Sequence, residues 1–221
     1  MILVALDTAS PSTVAGVLRA DGSVVEARDD PPEGSRGAHA ARALPLLERA
    51  LAEAGVTWRD VERIAVGVGP GGFTGLRIGI ATARALAQAS GLPLVPVGSL
   101  AALAAGAGGA VAAVLDARRG EVFAAVYEDG RELIAPAALA PGALAERLAA
   151  LDPPVQAVGD GAVRFRLELE RAGLAVPADG SSVHRISAAP LCRLGAVGEP
   201  AERDRLLPDY RREPDAKPPQ R

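Results

Sequence analysis

Gly69-Pro70-Gly71-Gly72-Phe73-Thr74-Gly75-Leu76-Arg77-Ile78-Gly79 is the stretch on which the reading of this chain turns. The apolar run Ile64–Val68 before it predicts a strand. Phe73–Ser90 after it, stopped by Gly91, predicts a long helix. The glycines between them make a forced loop. Glycine permits positive φ and close backbone approach. Amide groups at a helix start, helped by the helix dipole, can hold an anion. No Gly-Lys-Ser/Thr follows, so this is not a Walker loop, and the glycine spacing is wrong for a dinucleotide fingerprint. Two readings stand: a loop facing a phosphate, or a tight turn packed against a neighbouring element.

Toward the N-terminus, Ile2–Leu6 predicts a buried strand ending in Asp7-Thr8. Thr13–Leu18 and Ser23–Arg28, around the turn Ala20-Asp21-Gly22, complete a meander. Asp29–Gly37 is a loop. Ala38–Ala54 is helical, with Leu44, Leu47 and Leu51 at helical spacing, Gly55 as stop, and Pro45 expected to kink or break it. Toward the C-terminus, Leu94–Val97 predicts a strand, and Ser99 a cap for a helix to about Ala105. Beyond Gly106, Gly108 and Gly109 come strands Val111–Leu115 and Val122–Tyr127 and the turn Asp129-Gly130. A helix Pro141–Leu151, a strand Val155–Val158 ending in Gly159-Asp160-Gly161, and a helix Phe165–Ala172 follow. The remainder is less regular, and Pro214–Arg221 is expected to be a disordered tail. The pattern is α/β, divided into lobes 1–105 and 106–213. No internal sequence repeat is evident.

The chain has 221 residues, 49% hydrophobic and 23% charged, enough for a sizeable core and too apolar for disorder. Its net charge of −3 gives no broad basic field, although local arginines remain open to phosphate. Cys192 is the only cysteine, which excludes an internal disulfide and a thiolate zinc site. The first residues carry no basic leader and break at Asp7, and no run reaches the ~20 apolar residues of a membrane span. A cytoplasmic setting is expected.

Asp7 and Asp116 stand at strand ends, where aspartate can orient water or Mg²⁺ in a nucleotide site, or simply cap a turn. His39 and His184 form no HxxxH pair, and no GxSxG elbow surrounds any serine. On 73–90 the small residues Gly75, Gly79 and Ala83 recur four apart, as do Ala81, Ala85 and Ala89. Small residues let another helix approach closely. One such face must meet this chain's own sheet, which leaves the other for a partner.

Together these residues resemble the TsaB family, the YeaZ-like proteins of bacterial tRNA threonylcarbamoyladenosine biosynthesis. The glycine stretch carries most of the resemblance, with Gly72 where the family usually has serine. Leu6-Asp7-Thr8-Ala9 resembles its first-strand motif, with Ala9 in place of a common serine. His39 with Leu44-Pro45-Leu46-Leu47 resembles its first helix. Leu115-Asp116-Ala117-Arg118-Arg119-Gly120-Glu121-Val122-Phe123, Gly159-Asp160-Gly161 and Pro208-Asp209-Tyr210-Arg211 extend the likeness to about residues 2–212.

The resemblance implies an actin-like (ASKHA) fold of two related α/β lobes. It implies a non-catalytic subunit that binds the transferase TsaD through helices of its N-terminal lobe, with the ATPase TsaE in the assembly. The tRNA is then met only through the complex. Interface residues on that basis are His39, Leu44, Leu47, Leu51, Arg77, Ile78, Ala81 and Ala85. Nucleotide or phosphate loops are Asp7, Thr8, Gly69, Gly71, Gly72, Thr74, Gly75, Asp116, Gly159 and Gly161, with ATP or ADP held at most weakly. TsaD-like proteins carry an HxxxH metal motif where this chain has Ser99-Leu100-Ala101-Ala102-Leu103, so no metal ligand and no catalytic residue is assigned. The same face could pair two copies when TsaD is absent. A small-molecule kinase, a metallopeptidase and a plain nucleotide-binding module of the same fold remain the rival readings.

Overall fold

The computed structural model describes residues 1–32, 35, 37–149, 151 and 155–212. The predicted tail at 214–221 lies outside the described residues. Among the described residues nine strands form two sheets. The first has the order β3-β2-β1-β4-β5, from β1 (Leu3–Asp7), β2 (Thr13–Leu18), β3 (Val24–Asp29), β4 (Arg63–Gly69) and β5 (Leu94–Gly98). The second has the order β8-β7-β6-β9, from β6 (Ala110–Arg118), β7 (Glu121–Glu128), β8 (Arg131–Leu139) and β9 (Gln156–Val158).

The second sheet repeats the plan of the first. Three antiparallel strands are followed by a helix, and the fourth strand returns parallel to the first of the set. In the first sheet the helix is α1 (His39–Ala54) and β4 returns parallel to β1. In the second it is α4 (Pro141–Leu148) and β9 returns parallel to β6.

Helices cover the sheets in layers. α1 and α2 (Phe73–Ser90) pack on the outer face of the first sheet, around Val4, Leu6, Leu47 and Ile80. α3 (Ser99–Ala107) and α7 (Ala188–Val197) lie in the central core, with Leu3 and Ala5 on one side and Val111 and Ala113 on the other. α4 and α6 (Arg166–Arg171) pack on the outer face of the second sheet with Val114 and Leu144, and the short α5 (Asp160–Arg164) joins β9 to α6. β1 is therefore buried on both faces, which is why Leu3–Leu6 is a solid apolar run without alternation.

α1 buries Ala43, Leu46, Leu47, Ala50, Leu51 and Ala54 and ends at Gly55, whose φ of 71° suits glycine. It runs through Pro45, which faces solvent, so the expected break does not occur. Ser99 does not cap α3 as expected. Gly98 holds that position and makes no side-chain cap. β8 and α7 are additions to the sequence reading. α7 packs on the first sheet, so residues 188–197, from the half beyond 106, return to the lobe of 1–105. Its approach is close: a Cβ on Gly16 of β2 would lie 2.5 Å from the Ala188 Cβ, and one on Gly195 would collide with Ala65. No helix among the described residues is long and apolar enough to cross a membrane.

Candidate functional site: the interlobe cleft and the α1–α2 face

Between the lobes lies a cleft of about 650 Å³. One wall carries Ala9, Ser10, Gly71, Gly72, Thr74 and Gly75. The other carries Leu115, Asp116, Arg118 and Asp160, and Asp209–Arg212 edges it. The structure therefore brings the glycine loop and Asp116 together, as two sides of one cavity.

Asp7, Thr8, Gly69, Gly159 and Gly161 do not line that cavity. Asp7 is buried beneath the loop, where its Oδ1 accepts from the Ala9 N–H at 2.8 Å and its Oδ2 from the Ser99 hydroxyl at 2.7 Å. The Thr8 hydroxyl donates to the Gly75 carbonyl at 2.8 Å. The glycines of the loop answer to the same packing. A Cβ at Gly71 would collide with the Ala9 carbonyl, one at Gly75 with the Thr8 carbonyl, and one at Gly79 with the Thr8 hydroxyl. The Gly72 N–H donates to the Ala9 carbonyl at 2.7 Å. At these positions the tight-turn reading accounts for the glycines: the start of α2 is pressed against the end of β1. Gly159 and Gly161 are likewise pressed on the Val114 and Leu115 backbone. Gly72 is the open position. A Cβ there meets only the Ala9 carbonyl, at 3.6 Å, so the serine usual at this place would fit.

Asp116 is not a free ligand. Its carboxylate lies 2.7 Å from Arg164 and 3.3 Å from Arg118, and also accepts from the Arg118 N–H at 2.8 Å. Asp160, which the sequence reading did not single out, accepts from the Asp116 N–H at 3.0 Å. Burial, with the neighbouring Asp116 charge adding to it, pushes the Asp160 carboxyl above its ordinary range.

Burial also raises the Asp7 pKa, against the lowering effect of its two hydrogen bonds. A carboxyl raised in the folded state holds its proton there at pH values where the unfolded chain has lost it. Its contribution to stability is therefore full at low pH and falls as pH rises from 3.8 through the folded value. Asp7→Asn keeps the shape, with its amide donating to Ser99, and removes that titration. Urea unfolding from pH 4 to 7 should show the variant gaining on the wild type as pH rises. The gain should be about 1.4 kcal/mol for each unit of the raised pKa.

The second surface is the outer side of α1 and α2. Leu47, Leu51 and His39, read from the sequence as interface residues, are buried in the chain's own packing. Leu47 and Leu51 face the first sheet. The His39 Nδ1 sits 2.9 Å from the Thr13 hydroxyl, and burial lowers its pKa. The leucine spacing is the same for a core stripe and a docking stripe, so the sequence alone does not separate them. Leu44, Arg77, Ala81 and Ala85 are exposed, and Ile78 is half-buried beside them. On α2, Thr74, Ile78, Ala81 and Ala85 form one outward arc, opposite the buried Gly75, Leu76, Gly79 and Ala83.

The sequence model of the family described as TsaD: tRNA N6-adenosine threonylcarbamoyltransferase matches residues 30–181. YeaZ from Pseudomonas aeruginosa superposes with a TM-score of 0.76 at 30% identity, covering 95% of this chain and 99% of that one. The chain belongs to the TsaB (YeaZ) family. The tRNA threonylcarbamoyladenosine biosynthesis protein TsaB of Bacillus subtilis is 28% identical over 96% of this chain and 94% of its own length. A hexokinase of the ROK group from Thermus thermophilus, 17% identical with a TM-score of 0.50 over 86% of this chain and 97% of its own, shares the fold. The TsaB-family chain thus has the actin-like α/β fold, and the strand order of its first sheet is repeated in the second.

Ser99 and Leu103, which the resemblance implies stand where TsaD-like proteins carry metal-binding histidines, are both buried in this TsaB-family chain. Leu103 is packed in the central core. Ser99 donates to Asp7 and accepts from the Gly69 N–H at 3.2 Å. Neither lines the cleft. Among the described residues no three His, Cys, Asp or Glu side chains are grouped to hold a metal.

Proposed function

We propose that this chain serves tRNA threonylcarbamoyladenosine biosynthesis as a non-catalytic subunit that docks on TsaD through the outer face of α1 and α2. The observation that carries the reading is the outward arc Thr74, Ile78, Ala81 and Ala85 beside the exposed Leu44. Small side chains there let two partner helices come close, and the stripe is not consumed by the chain's own sheet. The inward-turned Ser99 and Leu103 support the division of labour, since a hydroxyl already bonded to Asp7 and a core leucine offer a metal nothing. Association costs about 4–15 kcal/mol in lost freedom, so the face must be well packed when joined. TsaE joins through the same assembly, tRNA is met through the complex, and ATP or ADP binds the cleft weakly. Without TsaD, the arc pairs two copies of this chain.

Co-purification with the TsaD of the same organism tests the docking. Reconstitution with and without this chain tests the role. Modification should depend on the chain, and modification that runs equally well without it would remove the reading. A small-molecule kinase is the second reading, and the cleft is the observation in its favour. Against it, Asp116 is held by two arginines. ATP turnover by the purified chain alone would reverse that judgement.

A further inference from the structure

The last described segment of the chain touches both walls of the cleft. Ala201 pairs with Leu94 at the edge of the first sheet, and Leu206 is buried in the core under α1 and α2. Asp204 lies 3.4 Å from Arg84. Further on, the Asp209 N–H donates to the Val68 carbonyl at 2.8 Å, at the end of β4. The Tyr210 ring stacks on Phe73 with centroids 5.3 Å apart, and its hydroxyl accepts from Arg77 Nε at 2.8 Å. Arg77 in turn covers Phe73 at 3.7 Å. Residues 73, 77 and 84 fall on one stripe of α2. The segment therefore runs back along that helix, next to the outward arc of 74, 78, 81 and 85. It then crosses to the second lobe, where Arg212 Nη1 donates to the Ala117 carbonyl at 2.8 Å and lies 3.4 Å from Glu121. Ala117 and Glu121 flank the β6–β7 turn, where Arg118 and Arg119 have φ of 65° and 56°.

We propose that Ala201–Arg212 is a latch across the cleft, seated on α2 beside the docking face, so that a partner's contact with α2 and opening of the cleft are coupled. The coupling rests on the docking reading above; the latch itself does not. Its fastenings at Arg84, Tyr210 and Arg212 include surface ion pairs, one ring stack and side-chain hydrogen bonds, each weak singly. A fastening of that kind holds the lobes together yet yields to a partner. Arg77 is the shared element, since it grips Tyr210 and also borders the docking arc.

Hydrogen-exchange mass spectrometry on the full chain tests this, with each variant read on the far side of the cleft from its substitution. Tyr210→Ala, made on the α2 side, should raise exchange of the 116–122 turn about tenfold. Arg212→Ala, made on the hairpin side, should raise exchange of 73–78 similarly. Both should keep the wild-type far-ultraviolet spectrum and a nearly unchanged Tm. Wild-type exchange on the far side in both variants would overturn the latch. Adding purified TsaD from the same organism should change exchange of 116–122 in the wild type and leave it unmoved in Tyr210→Ala. TsaD that binds the wild type without touching 116–122 would overturn the coupling. TsaD that does not bind at all would overturn the docking reading and the coupling with it, and the far-side exchange would still decide the latch.

Discussion

Gly75→Ala should cost about 3 kcal/mol of stability, the effect of one methyl group with nowhere to go. In an ordinary helix the change would stabilise by up to about 1 kcal/mol. Here the new Cβ points at the Thr8 carbonyl, a backbone atom at the end of the central strand β1, with His39 Nε2 at 3.2 Å on another side. Neither can retreat without lifting α2 off the sheet. Urea unfolding should show a lower midpoint with an unchanged slope. Gly72→Ser and Gly142→Ala are the controls. The first has only the Ala9 carbonyl at 3.6 Å, and the second meets nothing within 4 Å. Both should stay within about 1 kcal/mol of the wild type. If the glycines served only to admit an anion, Gly75→Ala would spare the midpoint.

Ala85→Arg should weaken association with TsaD at least 100-fold, about 2.7 kcal/mol, while leaving the isolated chain's Tm within about 2 °C. Ala85 is exposed near the centre of the outward arc, so a long charged side chain there costs the fold little. Across a close helix pair it would have to be desolvated and would hold the helices apart. Calorimetric titration reads the affinity. An unchanged value would exclude this face of α2 from the interface. Leu47→Ala is the complementary variant. It should lose about 2–5 kcal/mol of stability, because Leu47 is fully buried against the first sheet. The contrast separates core leucines from docking residues on adjacent helices.

Much of the first lobe was legible because its signals are local. A solid apolar run flanked by turns, a 3.6-residue leucine repeat closed by Gly55, and a glycine loop leading into a long helix each declare themselves within one element. α7 hid because Pro190 and Gly195 look like breakers. Pro190 sits in the first turn, where a missing N–H costs nothing, and Gly195 is needed for contact with Ala65. β8 hid because Arg131–Leu139 is largely half-exposed at the edge of its sheet and carries Pro136. The repeat of β1–β4 in β6–β9 left no sequence repeat, because it is a repeat of connections with different side chains; only the family resemblance implied it.

The candidate site divides along the same line. Sequence reading found the glycine loop and Asp116, and the fold set them on opposite walls of one cleft. Its turn-cap reading holds for both aspartates, since Asp7 accepts from the Ala9 amide and Asp116 from the Arg118 amide; it could not foresee that Ser99 would also bond Asp7, that Arg164 would hold Asp116, or that Tyr210 would return to grip Arg77. The amino-acid sequence by itself determined most of the element types in the first lobe, the family likeness, and the absence of an HxxxH pair at Ser99–Leu103. Each of these is a property of residue identity and near-neighbour spacing. Only the tertiary structure decided which small residues are packing and which are surface, and which carboxylates are already paired. Those depend on atoms brought together from positions far apart in the chain, where local periodicity carries no information.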